Sequence, residues 1–365
     1  MRIFYYLSHY ISHRLAGEAY VGLLRELGHT VHCNLAAGSA SNLPDAPDIA
    51  AASDLTTDQL AFLDKADLVV LHQEPVYYAD IFERLPVLRK KTVTAYAVWE
   101  NEELAPQYRA PLQMVDSVWT CSEFCRRAIA PHVRECLVLP HLVRRGKVSA
   151  GDLAWAQGVL FKSREAGAFV FLSVVDAVNP RKNLPALLGA FKLLRRSCRA
   201  PTRLLLKQYR AIVPLDNAPD VLNIGENVSC GRMSALYALC DAYVSAHHAE
   251  GWGLGISEAM SFGKPAIATG YSGNMEYMNE ENSFPVPCSI GPVSAEQCEK
   301  IPLFRPGMVW ADVDMPALAS TMRRVAEGRY APGLSAHAAA ITESFGPTAI
   351  KTRLSELLAS LPSRP

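Results

Sequence analysis

Short β-rich apolar runs alternate with helix-length segments along almost the whole chain, and the series is run twice. RIFYYL (residues 2–7) reads as a buried strand, residues 17–27 as a helix stopped by Gly28, and residues 30–33 as a second short strand. The pattern continues through DLVVLH (67–72), KTVTAYAV (91–98), SVWT (117–120) and CLVL (136–139), with room for a helix between successive runs. Strands spaced this far apart pair in parallel through crossover helices, which predicts a doubly wound α/β domain over residues 1–145.

The strand signal disappears from His141 to Gly167, where only residues 153–161 carry helical periodicity, so residues 146–167 are expected to form an interdomain linker. A second alternation follows: FVFLSV (169–174), a helix over 184–196, RLLLK (203–207), 221–224, a helix over 233–239, AYVS (242–245), a helix over 256–262, and 266–268. It predicts a second α/β domain over 168–345. The tail, 347–361, is an amphipathic helix with Ile350, Leu354, Leu357 and Leu358 on one side, able to pack on either domain. A length of 365 residues suits two cores, and apart from an Ala-rich loop over 36–52 there is no low-complexity segment or repeat.

Lys plus Arg and Asp plus Glu are equal at 36 each, so net charge steers the chain toward no nucleic acid, and its partners must be read from sites. Nine cysteines at irregular spacing fit a reducing compartment; Cys121 and Cys125 are four apart, but no second pair with zinc spacing accompanies them. The first ten residues carry one positive charge and a six-residue apolar run, which leads to the expectation of a cytoplasmic protein. The basic runs Arg89 to Lys91 and Arg126 to Arg127 read either as a solvated face or as a peripheral contact with the inner face of a membrane.

The chemistry concentrates in HHAEGWGLGISEAMSFGKPAIATGYSGNMEYM (247–278). Gly251, Gly253 and Gly255 lead into a short helix ended by Gly263 and Pro265, and open amides at a helix start bind anions. Glu250 and Glu258 flank those amides; carboxylates suit hydroxyl partners but repel phosphate unless cations intervene. Cations are available in NPRKN, where Arg181 and Lys182 stand between the first strand of the second domain and its helix, and at Lys207. His247 and His248 are neighbours on a strand and point to opposite faces, so no metal site is expected there.

Taken together, EGWGLGISEAMSFGKPAIAT, NPRKNLPALLGAF, SALYALCDAYVSAHHAEGWG, VDSVWTCSEF, YSGNMEYM and WADVD resemble the retaining glycosyltransferases of family 4. That resemblance implies a GT-B fold: two Rossmann-like domains facing across a cleft, acceptor-binding first and donor-binding second, with the C-terminal helix of residues 346–365 crossing back to the N-terminal domain. It implies transfer of a hexose from a UDP- or GDP-sugar to a glycan, lipid-linked or small-molecule acceptor, with retention of configuration and without metal or other cofactor. Glu250 takes the role of contacting sugar hydroxyls, Glu258 the ribose, and Arg181 and Lys182 the diphosphate. The amides of Trp252, Gly253 and Leu254, beside Gly251, line the sugar and phosphate, and Glu250→Gln is expected to lower turnover while leaving nucleotide affinity nearly intact. The first loop lacks the family's paired glycines, leaving only Gly17, and AVWENEEL places Trp99 and Glu100 where many members carry a histidine. His9, Trp99 and Glu100 are therefore the acceptor-side candidates, with His13 and His72 as alternatives. A sugar-nucleotide epimerase or hydrolase, and a non-catalytic nucleotide-sugar binding protein, are the competing readings.

Overall fold

A computed structural model describes residues 1–35, 55–209, 212–215 and 218–361; the Ala-rich stretch 36–52 lies outside the described residues. The chain divides into two compact units, residues 1–142 with 345–365, and residues 143–344.

In the first unit the elements are β1 (Arg2–Leu7), α1 (Ile11–Glu26), β2 (Thr30–Cys33), α2 (Thr57–Asp64), β3 (Leu68–His72), α3 (Tyr78–Arg84), β4 (Thr92–Tyr96), α4 (Pro106–Leu112), β5 (Ser117–Thr120), α5 (Glu123–Ile129) and β6 (Cys136–Val138). The strands form one parallel sheet in the order β2-β1-β3-β4-β5-β6. Strands β3, β4 and β5 are buried at every position, as expected for strands with helices over both faces. Helix α1 begins at Ile11, six residues before the expected start. Its first turns carry Arg14, which is buried because Nε donates to the Glu18 carboxylate one turn on (3.0 Å), so a polar-looking segment is helical.

The second unit opens with α6 (Ala150–Glu165) and continues as β7 (Phe169–Val175), α7 (Leu184–Ser197), β8 (Thr202–Gln208), β9 (Val221–Ile224), α8 (Cys230–Leu239), β10 (Ala242–Ser245), α9 (Leu254–Ser261) and β11 (Ala266–Thr269). Then follow β12 (Phe284–Val286), β13 (Cys288–Pro292), α10 (Ala295–Lys300), β14 (Val309–Val313), α11 (Met315–Ala326), α12 (Leu334–Ala339) and α13 (Ile341–Ser344). Residues 146–167, expected as a linker, thus supply a helix of this unit, with Ala156 and Leu160 buried. Six strands make a parallel sheet ordered β12-β11-β10-β7-β8-β9, and β13 pairs antiparallel with β14. Leu184, Leu187, Phe191 and Leu194 recur at helical spacing on α7 and turn one face into the core, where Leu318, Met322 and Val325 of α11 join them. Strands β12 to β14 and helix α11 are absent from the sequence reading; the three strands are only three to five residues long.

The last helix, α14 (Pro347–Ala359), belongs to the first unit, burying Ile350, Leu354 and Leu357. Arg353 Nε donates to the Val138 carbonyl (2.8 Å), and Lys351 pairs with Glu26 at the end of α1 (3.1 Å). Among the described residues no helix is long and apolar enough to cross a membrane.

Candidate functional site

The strand order of the second unit makes β7 and β10 neighbours while the chain runs from β7 outward to β8 and β9, and from β10 outward to β11 and β12. The loops leaving the carboxyl ends of these two strands therefore diverge and leave a crevice, the position where open parallel sheets take ligands. The loop after β7 carries Arg181 and Lys182 in a single 3₁₀ turn between two asparagines. The Asn179 side chain accepts from the Arg181 amide (3.0 Å), and Asn183, left-handed at φ 50°, accepts from the Ala186 amide (3.3 Å) to cap α7. Asn tolerates that conformation better than other side chains with a Cβ, so the turn fixes where both cations emerge.

The loop after β10 brings Glu250 to them. Lys182 Nζ lies 2.5 Å from Glu250 Oε1 and Arg181 Nη1 3.1 Å from Oε2, with Nη1 also donating to the Ala249 carbonyl (2.8 Å). The three side chains are 15, 11 and 10% exposed. Burial alone pushes the Glu250 carboxyl up; the charges of Lys182 and Arg181, with a smaller contribution from His247, outweigh it and hold the group at about 2. The sequence reading assigned these residues to separate tasks, Glu250 to hydroxyls and the cations to phosphate; the structure places them in one ion triad.

The backbone of Glu250 is clamped by the turn after β11. Its amide donates to Ser272 Oγ (2.8 Å), and its carbonyl accepts from the Gly273 amide (2.8 Å). Ser272 sits at φ 76°, ψ −151°, a region costly for any residue with a Cβ and typical of over-determined functional turns. Gly273 is required by close approach: a Cβ there lies 1.8 Å from the Gly251 carbonyl oxygen. His247, fully buried, bridges Ser245 Oγ (Nδ1, 3.0 Å) and Asn274 Oδ1 (Nε2, 3.0 Å), while Asn274 Nδ2 donates to the Thr269 carbonyl (2.9 Å). Burial lowers that imidazole to about 4, so near neutral pH it is uncharged and spans two polar partners, and it gains charge only in the acidic range where Glu250 titrates. Ser272, Gly273 and Asn274 were missed as site residues; YSGN was visible in the sequence, but nothing local shows that it meets a loop twenty residues earlier.

Gly253, at φ 89°, turns the chain into α9, whose first amides, at Leu254 and Gly255, have no carbonyl in a preceding turn to bond. The Trp252 side chain is buried: Nε1 donates to Ser257 Oγ (3.1 Å) and the ring packs 4.8 Å from that of Tyr277. Tyr277 OH in turn donates to the carbonyls of Trp252 and Gly253 (2.9 Å each), so this aromatic pair shapes the glycine turn from behind. Glu258 is exposed on α9 with the Tyr237 hydroxyl bonded to it. Lys207 stands one strand away on β8, buried, donating to the Gln208 carbonyl; burial lowers its ammonium and Glu226 opposes that shift. The other histidine of the loop, His248, turns the opposite way, to the Ala311 carbonyl (2.6 Å) and Asp312 (3.2 Å), and stacks on Trp310 at 4.2 Å. Among the described residues no three His, Cys, Asp or Glu side chains gather as a metal-binding group.

The acceptor-side candidates lie at the carboxyl ends of strands in the first unit, and not all are available for a ligand. Trp99 is buried, with Nε1 donating to the Glu103 carbonyl (2.8 Å) and its ring against Tyr108 (5.2 Å), which makes it a packing residue. His9 and Glu100 are partly buried in the loops after β1 and β4. His72 is buried, bonded to Tyr5 OH through Nδ1 (2.9 Å), whereas His13 reaches Glu74 (3.5 Å). Gly17 serves packing: a Cβ there meets Leu7 Cδ2 at 2.5 Å and His72 Nδ1 at 3.0 Å. Of the basic runs, Arg126 is paired to Glu123 (2.6 Å), Lys91 donates to the Asp64 carbonyl, and Arg89 lies over the Phe82 ring.

Residues 160–288, which span β7 to the start of β13 and so contain every element of the crevice, match the family model described as glycosyl transferases group 1. No curated protein matches the chain. Among solved structures, it is similar to the Anabaena HepE protein in complex with UDP and glucose (17% identity, 99% of this chain and 100% of that one, TM-score 0.62). It is also similar to the sucrose-phosphate synthase of Thermosynechococcus elongatus (17%, 98% and 98%, TM-score 0.63) and to a UDP-forming α,α-trehalose-phosphate synthase from Burkholderia xenovorans (11%, 100% and 100%, TM-score 0.63). Residues 160–288 thus match the group 1 glycosyl transferase model, and they are set in a two-unit α/β fold of the GT-B type.

Proposed function

We propose that this protein is a retaining hexosyltransferase that moves a sugar from a nucleotide diphosphate donor to a hydroxyl of a glycan, lipid-linked or small-molecule acceptor. The observation that carries the proposal is the triad of Glu250, Arg181 and Lys182 at the switch point of the second sheet, beside the opening amides of α9. Two cations and a helix start meet the needs of a diphosphate, and a carboxylate that stays ionised near neutral pH accepts from sugar hydroxyls. UDP is the first nucleotide to test, because the names of two of the similar structures include it.

In the reaction the bond from the anomeric carbon to the phosphate oxygen breaks while positive charge develops on the sugar. Arg181, Lys182 and the α9 amides take up the negative charge growing on the departing diphosphate from fixed positions, and no divalent metal is required of them. The acceptor oxygen bonds to the anomeric carbon on the face the phosphate leaves, and its proton passes to the departing phosphate oxygen. Glu250 orients the sugar hydroxyls, and Glu258 accepts from the ribose.

The test is a panel of UDP- and GDP-sugars with candidate acceptors, read by nucleotide release and by NMR of the product, with and without EDTA. Transfer that survives EDTA and retains configuration is the expected result. Inversion refutes the retaining assignment, magnesium-restored activity refutes metal independence, and turnover of donor that needs no acceptor refutes transfer in favour of hydrolysis or epimerisation.

A further inference from the structure

Resting on the donor-site reading above, we propose that Glu250 is an internal stand-in for the donor diphosphate. In the free protein it occupies Arg181 and Lys182, and a diphosphate must displace it before its oxygens are given over to the sugar. Both carboxylate oxygens are committed, Oε1 to Lys182 Nζ at 2.5 Å and Oε2 to Arg181 Nη1 at 3.1 Å. Two cations held nearly out of water need an anion within the fold, since burying them uncompensated is strongly unfavourable. Glu250 meets that need at its own position in the chain because its backbone is pinned on both sides, by Ser272 Oγ at the amide and by the Gly273 amide at the carbonyl. The exchange is therefore a rotation of one side chain about a fixed backbone, with no loop displaced.

The consequence is an order of events. A diphosphate brings more negative charge than one carboxylate and can satisfy both cations at once; a free sugar brings none and leaves the triad closed. Hexose hydroxyls gain the full acceptor strength of Glu250 only after the anion has arrived, so the site selects sugars that carry a diphosphate over the same sugars without one. The expectation from sequence, that Glu250→Gln leaves nucleotide affinity nearly intact, is replaced: removing the internal anion tightens binding of the diphosphate.

Calorimetric titration with inorganic pyrophosphate and with UDP, neither of which carries a sugar, tests this on wild type, Glu250→Asp and Glu250→Gln, each first shown to unfold cooperatively. Pyrophosphate affinity is expected to rise about tenfold or more in Glu250→Gln and by less in Glu250→Asp, where a shorter side chain weakens the competing pair. Adding Lys182→Ala to Glu250→Gln is expected to remove most of the gain. A folded Glu250→Gln that binds pyrophosphate no tighter than wild type overturns the inference, and so does a gain that persists undiminished with Lys182→Ala. If the glutamine variant does not fold, the aspartate variant decides by the same comparison. Sugar transfer measured on the wild type separates this inference from the function on which it rests. Transfer without the affinity gain refutes the stand-in role alone, and an affinity gain in a chain that transfers nothing refutes the transferase alone.

Discussion

Gly273→Ala tests the clamp on Glu250 by steric force alone. The new Cβ would lie 1.8 Å from the Gly251 carbonyl oxygen and 2.8 Å from that of Glu250, both backbone atoms with no rotamer to retreat into. Carbon and oxygen approach to about 3.3 Å at closest, so the two turns must part by about 1.5 Å. That separation breaks the 2.8 Å bond from the Gly273 amide to the Glu250 carbonyl and strains the bond from the Glu250 amide to Ser272. Each buried backbone group left unpaired costs about 1–3 kcal/mol, which puts the loss at about 3 kcal/mol for the second unit. A change of that size lowers the midpoint of a unit of this length by about 6–12 °C. On the proposed role of Glu250, displacing its carboxylate by more than 1 Å also lowers turnover by about a hundredfold. Differential scanning calorimetry and steady-state kinetics measure the two effects. A variant within 1 °C or so of wild type that turns over donor at the wild-type rate would refute the claim that this contact sets the position of Glu250.

Two further outcomes follow from the same loop. Glu250 is held at about 2 in the fold against an ordinary 4.5, so the triad's contribution, about 3 kcal/mol, is complete above pH 4.5 and is lost as pH falls toward 2. Denaturant midpoints measured across that window should fall more steeply for wild type than for Glu250→Gln, and parallel curves would contradict the assignment. Tyr277→Phe removes the donor to the Trp252 and Gly253 carbonyls and should cost about 1–3 kcal/mol while weakening UDP binding; unchanged UDP affinity would show that the glycine turn holds its shape without it.

The sequence by itself determined most of the core strands, several helices and the list of chemical groups. The periods of two and 3.6 are local properties, so β1, β2, β5, β9 and β10 begin and end where the pattern places them, and α7 differs by one residue. Errors fall where locality fails. Helix α6 joins a domain it was expected only to precede, because buried Ala156 and Leu160 pack within the second unit; the early start of α1 is instead a local Arg14–Glu18 pair that the apolar pattern does not register. Glu250, Arg181, Lys182 and Glu258 were legible as residue types that suit hydroxyls and phosphate, but whether they meet was not, since Lys182 and Glu250 are 68 residues apart. Only the tertiary structure decides that, through a strand order that places β7 against β10 and sends their following loops apart. The same nonlocality explains Trp99, an acceptor-side candidate in the sequence that the fold buries, and Gly273, whose necessity lies in a carbonyl oxygen twenty-two residues earlier. Local pattern fixes which backbone each segment adopts; the packing of parallel strands, which no single segment encodes, fixes which charges must share one crevice.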